Sequence, residues 1–306
     1  MSLNKNQAAQ ISEKLKEKLI IFSFLAKGNH NNNYLVETNK RKYVVRIENN
    51  CQFNNLKKEY LLLKSLKPNL GPKVYFFDKT HKIIHSDYFV EEFIEGKHPT
   101  LLDDKFIFTM AKWLKKLHKQ KKSCKKYSLL NAIKPYARNV NSHKDALTPN
   151  LYSKIGVLFD RVLAFCKKNN DIFSNRKTNS LLHRDLSRDN IIYDGKKIKL
   201  LDWEFSNYDF PEWDITYFIK SFKLDKDKIK YFLKNYRYPN SKSDKKRLLI
   251  ISMLNTCGDM GYSVWRMDLV KQGKLKKSEK ISILTRLKKD IKLLEKTIED
   301  LESQDI

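Results

Sequence analysis

The chain has 306 residues, 41% of them hydrophobic and 12% aromatic, enough to bury a sizeable core and to exclude wholesale disorder. Lys and Arg number 62 against 35 Asp and Glu, so the formal net charge is +27 and anionic partners come into question: nucleic acid, anionic lipid or a phosphorylated small molecule. Basic residues are spread along the whole chain beside abundant Asn, Ile, Phe and Tyr, a pattern that compositional bias explains more readily than a binding face.

Residues 8–18 have helical composition. Lys14 to Ala26 has the lysines and apolar run of a secretory signal, but Glu13 and Glu17 dilute the charge and no small-x-small site follows, so it reads as a helix leading into a strand. Ile20–Ala26, Asn33–Thr38 and Lys42–Glu48 are β-branched and aromatic runs between Gly/Asn-rich turns, which predicts a small antiparallel sheet. Leu56–Leu66 is apolar at helical spacing until Pro68 and Pro72 break it, and Val74–Asp78 and Tyr88–Ile94 supply two further strands. After Gly96 the pattern turns helical, beginning with the amphipathic stretch Phe106–His118, so a boundary falls near residue 95. Within the helical half, Leu181–Leu182, Ile191–Tyr193 and Ile198–Leu201 form a β-rich island around two polar turns, a place where side chains are held rigidly. Lys115–Lys126 reads as solvated helix face and loop. Leu284, Leu287, Ile291, Leu294, Ile298 and Leu301 make a short heptad seam, which favours a helix packed on its own domain and leaves a homodimer open. Cys51, Cys124, Cys166 and Cys257 stand far apart with no C-x-x-C pair, which fits a reducing cytosol, and no window approaches the ~20 apolar residues of a membrane span.

The chemistry is written in the β-rich island. Leu182-His183-Arg184-Asp185-Leu186-Ser187-Arg188-Asp189-Asn190-Ile191-Ile192 is followed, past the turn at Asp194-Gly195, by Ile198-Lys199-Leu200-Leu201-Asp202-Trp203-Glu204. An apolar-flanked H-x-D, an Asn five residues beyond the Asp and an apolar strand ending in a further Asp together form a phosphoryl-transfer signature. Asp185 is placed to accept the proton of an attacking hydroxyl, while Asn190 and Asp202 converge on Mg²⁺ bridging nucleotide phosphates. Glu204 is an additional metal candidate, and His183 reads as a brace for the loop.

The first half must then cover the nucleotide and supply a cation. Arg46, in Tyr43-Val44-Val45-Arg46-Ile47, stands where a kinase carries its phosphate-pairing lysine, with Glu59 on the next helix to fix it. The turn Gly28-Asn29-His30-Asn31-Asn32-Asn33 lies where a phosphate-covering loop belongs, with Gly28, Asn29 and Asn33 as its candidates; it carries no G-x-G-x-x-G and no Walker A. Tyr88–Gly96 is the expected hinge, with Glu92 and Ile94 offering backbone groups to an adenine edge and Ile192, Leu200 and Leu201 forming the floor.

Gly28–Val36, Tyr43–Ile47, Phe89–Gly96, Leu182–Tyr193 and Leu200–Asp214 together resemble the aminoglycoside phosphotransferase and choline kinase superfamily over nearly the whole chain. Within it the wording is most similar to the choline/ethanolamine kinases, bacterial lic-type choline kinases above all. The run Asp202-Trp203-Glu204-Phe205-Ser206-Asn207-Tyr208-Asp209-Phe210-Pro211-Glu212-Trp213-Asp214 carries that likeness, with Asn207 in place of the usual glycine. The resemblance implies an α+β, two-lobed protein-kinase-like fold, with a small antiparallel-sheet N-lobe (1–95) and a larger, mainly helical C-lobe (96–306). It also implies ATP and Mg²⁺, Asp185 as base, Asn190 and Asp202 as metal ligands, a cytoplasmic enzyme, and a small cationic alcohol, choline favoured, as acceptor.

A quaternary ammonium donates no hydrogen bonds, so its recognition calls for aromatic faces. Phe205, Trp213, Tyr217, Tyr262 and Trp265 are the candidates, beside Asp185; Tyr262 and Trp265 resemble the family's W-x-x-W with Tyr in the first place. Ethanolamine, thiamine and aminoglycosides stay open as acceptors. A protein kinase is disfavoured, because Asp202-Trp203-Glu204 stands where D-F-G belongs and Phe210-Pro211-Glu212 follows too soon for an activation loop. A basic RNA- or membrane-surface-binding protein is the alternative of another class, and no RNA module or aromatic-basic face supports it.

Overall fold

The computed structural model describes residues 2–28, 31–49, 56–123, 128–173 and 177–303. Helix α1 (Lys5–Lys14) opens on a capping box: Asn4 accepts the N–H of Gln7 and Gln7 accepts the N–H of Asn4. That box starts the helix earlier than composition predicts, and the left-handed turn at Lys16 (φ 59°) closes it off before residue 18. Strands β1 (Leu19–Lys27), β2 (Asn31–Thr38) and β3 (Lys42–Glu48) run antiparallel; helix α2 (Leu56–Ser65) and strands β4 (Val74–Asp78) and β5 (Tyr88–Glu92) follow. The five strands form one antiparallel sheet in the order β1-β2-β3-β5-β4.

Period-two patterning sorts this sheet into two faces. Tyr34, Val36, Tyr43, Val45, Ile47, Tyr88 and Val90 take one parity and pack with Leu3, Ala8 and Ile11 into a core under α1. The other parity places polar groups on the opposite face: Asn33 lies directly across from Arg46, and Glu91 directly across from Val44. β5 ends at Glu92, short of the expected Ile94, and the linker beyond it ties onto a later strand, β8. Tyr193 donates its N–H to Lys97 O at 2.9 Å, and His98 meets Ile191 O at 3.1 Å. Gly96 sits there at φ +144°, and a Cβ on it would stand 2.4 Å from Ile192 Cγ2, so both backbone angle and space demand glycine.

The remaining elements are α3 (Asp104–His118), β6 (Lys121–Ser123), α4 (Leu129–Ser142), α5 (Pro149–Lys168), β7 (Thr178–Leu182), β8 (Ile191–Tyr193), β9 (Ile198–Leu200), β10 (Asn207–Asp209), α6 (Glu212–Phe222), α7 (Lys226–Tyr236), α8 (Lys242–Lys271) and α9 (Glu279–Glu302). Part of the Lys-rich stretch read as helix and loop is thus an exposed strand, β6, held by backbone pairing to β7. The fold divides into two compact units. One comprises residues 1–117, 183–207 and 221–236, the other residues 118–182, 208–220 and 237–306.

In the second unit, α8 starts on a Ser241/Asp244 capping box and contributes Ile250, Leu254, Cys257 and Met260 to a large core. Leu287, Ile291, Leu294, Ile298 and Leu301 of α9 bury in that same core, so the heptad seam packs within its own unit, with Ile283 instead of Leu284 as the buried residue at its start. Burial at about 25 cal/mol per Å² accounts for this choice, since an exposed seam would forfeit roughly 1.5–3 kcal/mol per large side chain.

Candidate active site

Residues 183–204 and Arg46, Glu59 and Glu91 all lie in the first unit. His183 is fully buried, edge-on to the Trp203 ring with centroids 4.7 Å apart. Its Nε2 meets the carbonyl of Leu201 at 2.9 Å, and its Nδ1 receives the N–H of Asp185 at 3.3 Å. A carbonyl only accepts and an amide N–H only donates, so the ring is the neutral tautomer protonated on Nε2, and it pins the Asp185 loop to the end of β9. Asn190 closes the loop from the other side: its Nδ2 donates to Asp185 Oδ2 at 2.9 Å and to Asp185 O at 3.1 Å. Arg184 (φ 73°) and Asp202 (φ 60°) are both left-handed, backbone conformations that cost non-glycine residues free energy and persist only where neighbours hold them.

Arg46 leaves the sheet face from β3. Its Nη2 donates to Glu59 Oε2 at 3.1 Å and to Asp202 Oδ1 at 3.0 Å, while Nη1 stands 4.0 Å from Glu91 Oε1. The other oxygen of Glu59 accepts the backbone N–H of Trp203 at 2.9 Å. One buried carboxylate on α2 thus fixes both the cation and the segment that carries Asp202. The predicted Arg46–Glu59 pair is formed and fully buried, and Asp202 joins it.

This site is short of positive charge. Burial works against the Arg46 cation, but Glu59, Asp202 and Glu91 outweigh it and hold the guanidinium firmly protonated. Burial raises Glu59 to about 7 against the pull of Arg46, and raises Glu91 to about 8 against the same pull. Glu204 is pushed up to about 7 by burial and by Asp202, with Asp185 adding to the repulsion. Its Oε2 is buried without a hydrogen-bond partner. Arg46 thus stands among Glu59, Glu91 and Asp202, with Glu204 close to Asp202 and Asp185, a set of oxygen donors that fits a divalent cation. Among the described residues no three His, Cys, Asp or Glu side chains form a preformed metal cage.

The nucleotide candidates are distributed as follows. Gly28 N–H bonds to Asn31 O at 2.8 Å, closing the β1–β2 turn; Asn29 lies outside the described residues. Asn33 belongs to β2, across from Arg46, and its Oδ1 is buried without a partner, as is Arg46 Nε. These are orphaned polar atoms on the one sheet face, the condition that an incoming polar ligand relieves. Glu92 and Ile94 line an open cleft of about 1460 Å³ together with Ile20, Ile192 and Lys199. The N–H of Glu92 is already bonded to Lys73 O at 2.8 Å and its carboxylate to Lys199 at 2.8 Å. Leu201 donates its N–H to Asn190 O at 2.9 Å, joining the floor of β9 to the loop.

Of the acceptor candidates, Phe205 lies in the first unit and is half exposed, whereas Trp213, Tyr217, Tyr262 and Trp265 lie in the second. Trp213 is buried in the core with Phe210 and Leu182. Tyr262 and Trp265 meet, with ring centroids 5.5 Å apart, and the guanidinium groups of Arg266 and Arg286 each stand 6.0 Å from the Tyr262 ring. Glu91 and the buried pair His118–Asp214, at 3.1 Å, escape the reading of motifs. The one local signal for Glu91 was an acidic residue directly after the apolar run Tyr88-Phe89-Val90; nothing local marked His118.

The match to the model of the phosphotransferase enzyme family covers residues 21–239, from β1 to the end of α7. A Protein LicA homolog of Metamycoplasma hominis is 30% identical over 202 residues, 65% of this chain and 72% of that protein. Among solved structures, the choline kinase LicA from Streptococcus pneumoniae superposes with a TM-score of 0.64 at 23% identity, covering 92% of this chain and 97% of its own. LicA in complex with AMP superposes at 0.63 and 22% identity, covering 97% and 100%. Those likenesses establish an α+β kinase-like fold. Together with the Asp185, Asn190 and Asp202 pattern and the extent of the family match, they place the chain: it belongs to the phosphotransferase enzyme family.

Proposed function

We propose that the protein transfers the γ-phosphoryl group of ATP to the hydroxyl of a small cationic alcohol, choline first among the candidates, in the cytoplasm. The observation that carries this reading is the Arg46–Asp202 hydrogen bond, with Glu59 holding Arg46 and the backbone N–H of Trp203, the residue after Asp202. In this assignment residues 1–95 cover the nucleotide and residues 96–306 carry catalysis and acceptor binding. Arg46 pairs with the phosphates, Gly28, Asn29 and Asn33 border them, Glu92 and Ile94 meet the adenine edge, and Leu201 floors it. Asn190, Asp202 and the orphaned Glu204 are the oxygen donors that would hold Mg²⁺. When bound, that ion neutralises charge developing on the transferred phosphoryl group.

Asp185 is the base: its side chain is oriented by Asn190, its backbone by His183, so its carboxylate can accept the acceptor's hydroxyl proton as the new O–P bond forms and the γ-phosphorus–oxygen bond to the leaving ADP breaks. Phe205, Tyr217, Tyr262 and Trp265 are assigned to the acceptor, while Trp213, buried in the core, is not. The relatives named LicA support choline. The flanking of Tyr262 by two guanidinium groups favours keeping ethanolamine, thiamine and an aminoglycoside in the same test, because a third cation must compete for that ring.

The test is ADP release with ATP and Mg²⁺ against that acceptor panel. Choline should give the highest kcat/KM; turnover with none of the four would overturn the assignment, and a clear preference for another would reassign the acceptor.

A further inference from the structure

We infer that Glu91 is a positioning residue that takes over as partner of Arg46 when Asp202 turns away from it. This rests on the nucleotide reading above. In the present arrangement both direct bonds of Arg46 run through one nitrogen, Nη2, which serves Glu59 and Asp202. Nη1 faces Glu91 Oε1 at 4.0 Å, just beyond hydrogen-bond length, and Nε has no partner. Glu91 Oε2 is equally buried and equally without one. Unused donors and an unused acceptor thus stand side by side on one sheet face, with Arg46 and Glu91 each 4% exposed and shielded from water.

Asp202 is the exposed member of the set. Its side chain is 36% exposed, against 0% for Glu59, and a divalent cation drawn to that carboxylate would repel the guanidinium bonded to Oδ1, so the two like charges compete for Asp202. Once Asp202 rotates toward the metal, Arg46 keeps Glu59 alone, a single contact that leaves the fork free to swing. Glu91 is the acceptor at hand. The register places it across from Val44, two residues from Arg46 on the same face, the diagonal that long side chains span. Burial, which raises its carboxyl to about 8, also keeps it from cancelling the charge that Arg46 offers to phosphate.

The experiment measures MgADP binding by calorimetry on the full chain, in wild type and in Glu91→Met, Glu91→Asp and Glu91→Gln, with thermal melts confirming folding. Glu91→Met should weaken binding about tenfold and Glu91→Asp about threefold, while Glu91→Gln, which keeps the acceptor, stays within twofold. With Mg²⁺ chelated the Met and wild-type affinities for ADP should converge to within twofold, because Asp202 then remains on Arg46. Should Glu91→Met fail to fold, Glu91→Asp carries the comparison. Wild-type affinity in folded Met or Asp variants would overturn the inference, as would a loss that persists undiminished without Mg²⁺. Wild-type protein that binds no MgADP would instead overturn the nucleotide reading, and the role of Glu91 with it.

Discussion

Glu59 accepts the backbone N–H of Trp203 at 2.9 Å, so a carboxylate on α2 is bonded to the residue that follows Asp202. Its second oxygen holds Arg46 at 3.1 Å, and this one side chain therefore sets the spacing between that cation and the segment carrying Asp202. Replacing Glu59 by Ala removes the acceptor of both the Arg46 guanidinium and the buried Trp203 N–H, while Asp202 still pairs with Arg46, which costs about 1–3 kcal/mol. Glu59→Gln keeps the acceptor for Trp203 and should lose about half as much. Chemical denaturation of the three proteins checks the order, and equal stability of wild type and Ala would contradict it.

Asp185→Asn preserves size and one oxygen for the Asn190 amide to donate to, but removes the base. Turnover should fall by about 10²–10⁴-fold with the melting temperature nearly unchanged. Single-turnover rates and a thermal melt on the same preparation separate this from a folding defect.

Gly96→Ala should destabilise the protein by more than 1 kcal/mol, because it adds left-handed strain to a Cβ that would stand 2.4 Å from Ile192. Since Ile192 belongs to the floor expected under the adenine, KM for ATP should rise as well. A variant with unaltered stability and KM would show that the linker relaxes freely.

Asp78 gives the acid response. Burial works to raise its carboxyl, but the Lys14 ammonium at 2.6 Å and the Thr80 hydroxyl and N–H at 2.7 and 2.8 Å hold it well below the ordinary carboxylate range. A carboxyl depressed in the folded state stabilises above its unfolded value near 3.8 and loses that contribution as pH falls through the folded one. Lys14 is 43% exposed and screened by water, so Thr80 carries most of the effect. Asp78→Asn should therefore cost about 1–2 kcal/mol at pH 7 and flatten the stability curve below pH 4. A denaturation series from pH 2 to 7 reads both.

Much of this was legible in the sequence for physical reasons. Strands β1–β5 alternate or run apolar between Asn- and Gly-rich turns, and one half-buried sheet enforces that pattern. The Asp185, Asn190 and Asp202 spacing is dictated by two short turns around β8. Illegible parts depend on distance in space. β6 is Lys-Lys-Ser, with no apolar signal, and exists because β7 offers it a backbone edge. Glu91 looks like an ordinary charge until the register sets it beside Arg46. Trp213 read as a cage aromatic from its place beside the Asp202 segment, yet it lies in the core, since aromatic identity alone does not distinguish a ligand wall from packing.

The account turns on whether Arg46, Asn190 and Asp202 serve one triphosphate. A crystal structure with Mg²⁺ and a non-hydrolysable ATP analogue tests this most directly: the terminal phosphates should contact Arg46, with the ion bound through Asn190 and Asp202. A triphosphate seated away from Arg46, or an ion with neither residue among its ligands, would contradict it.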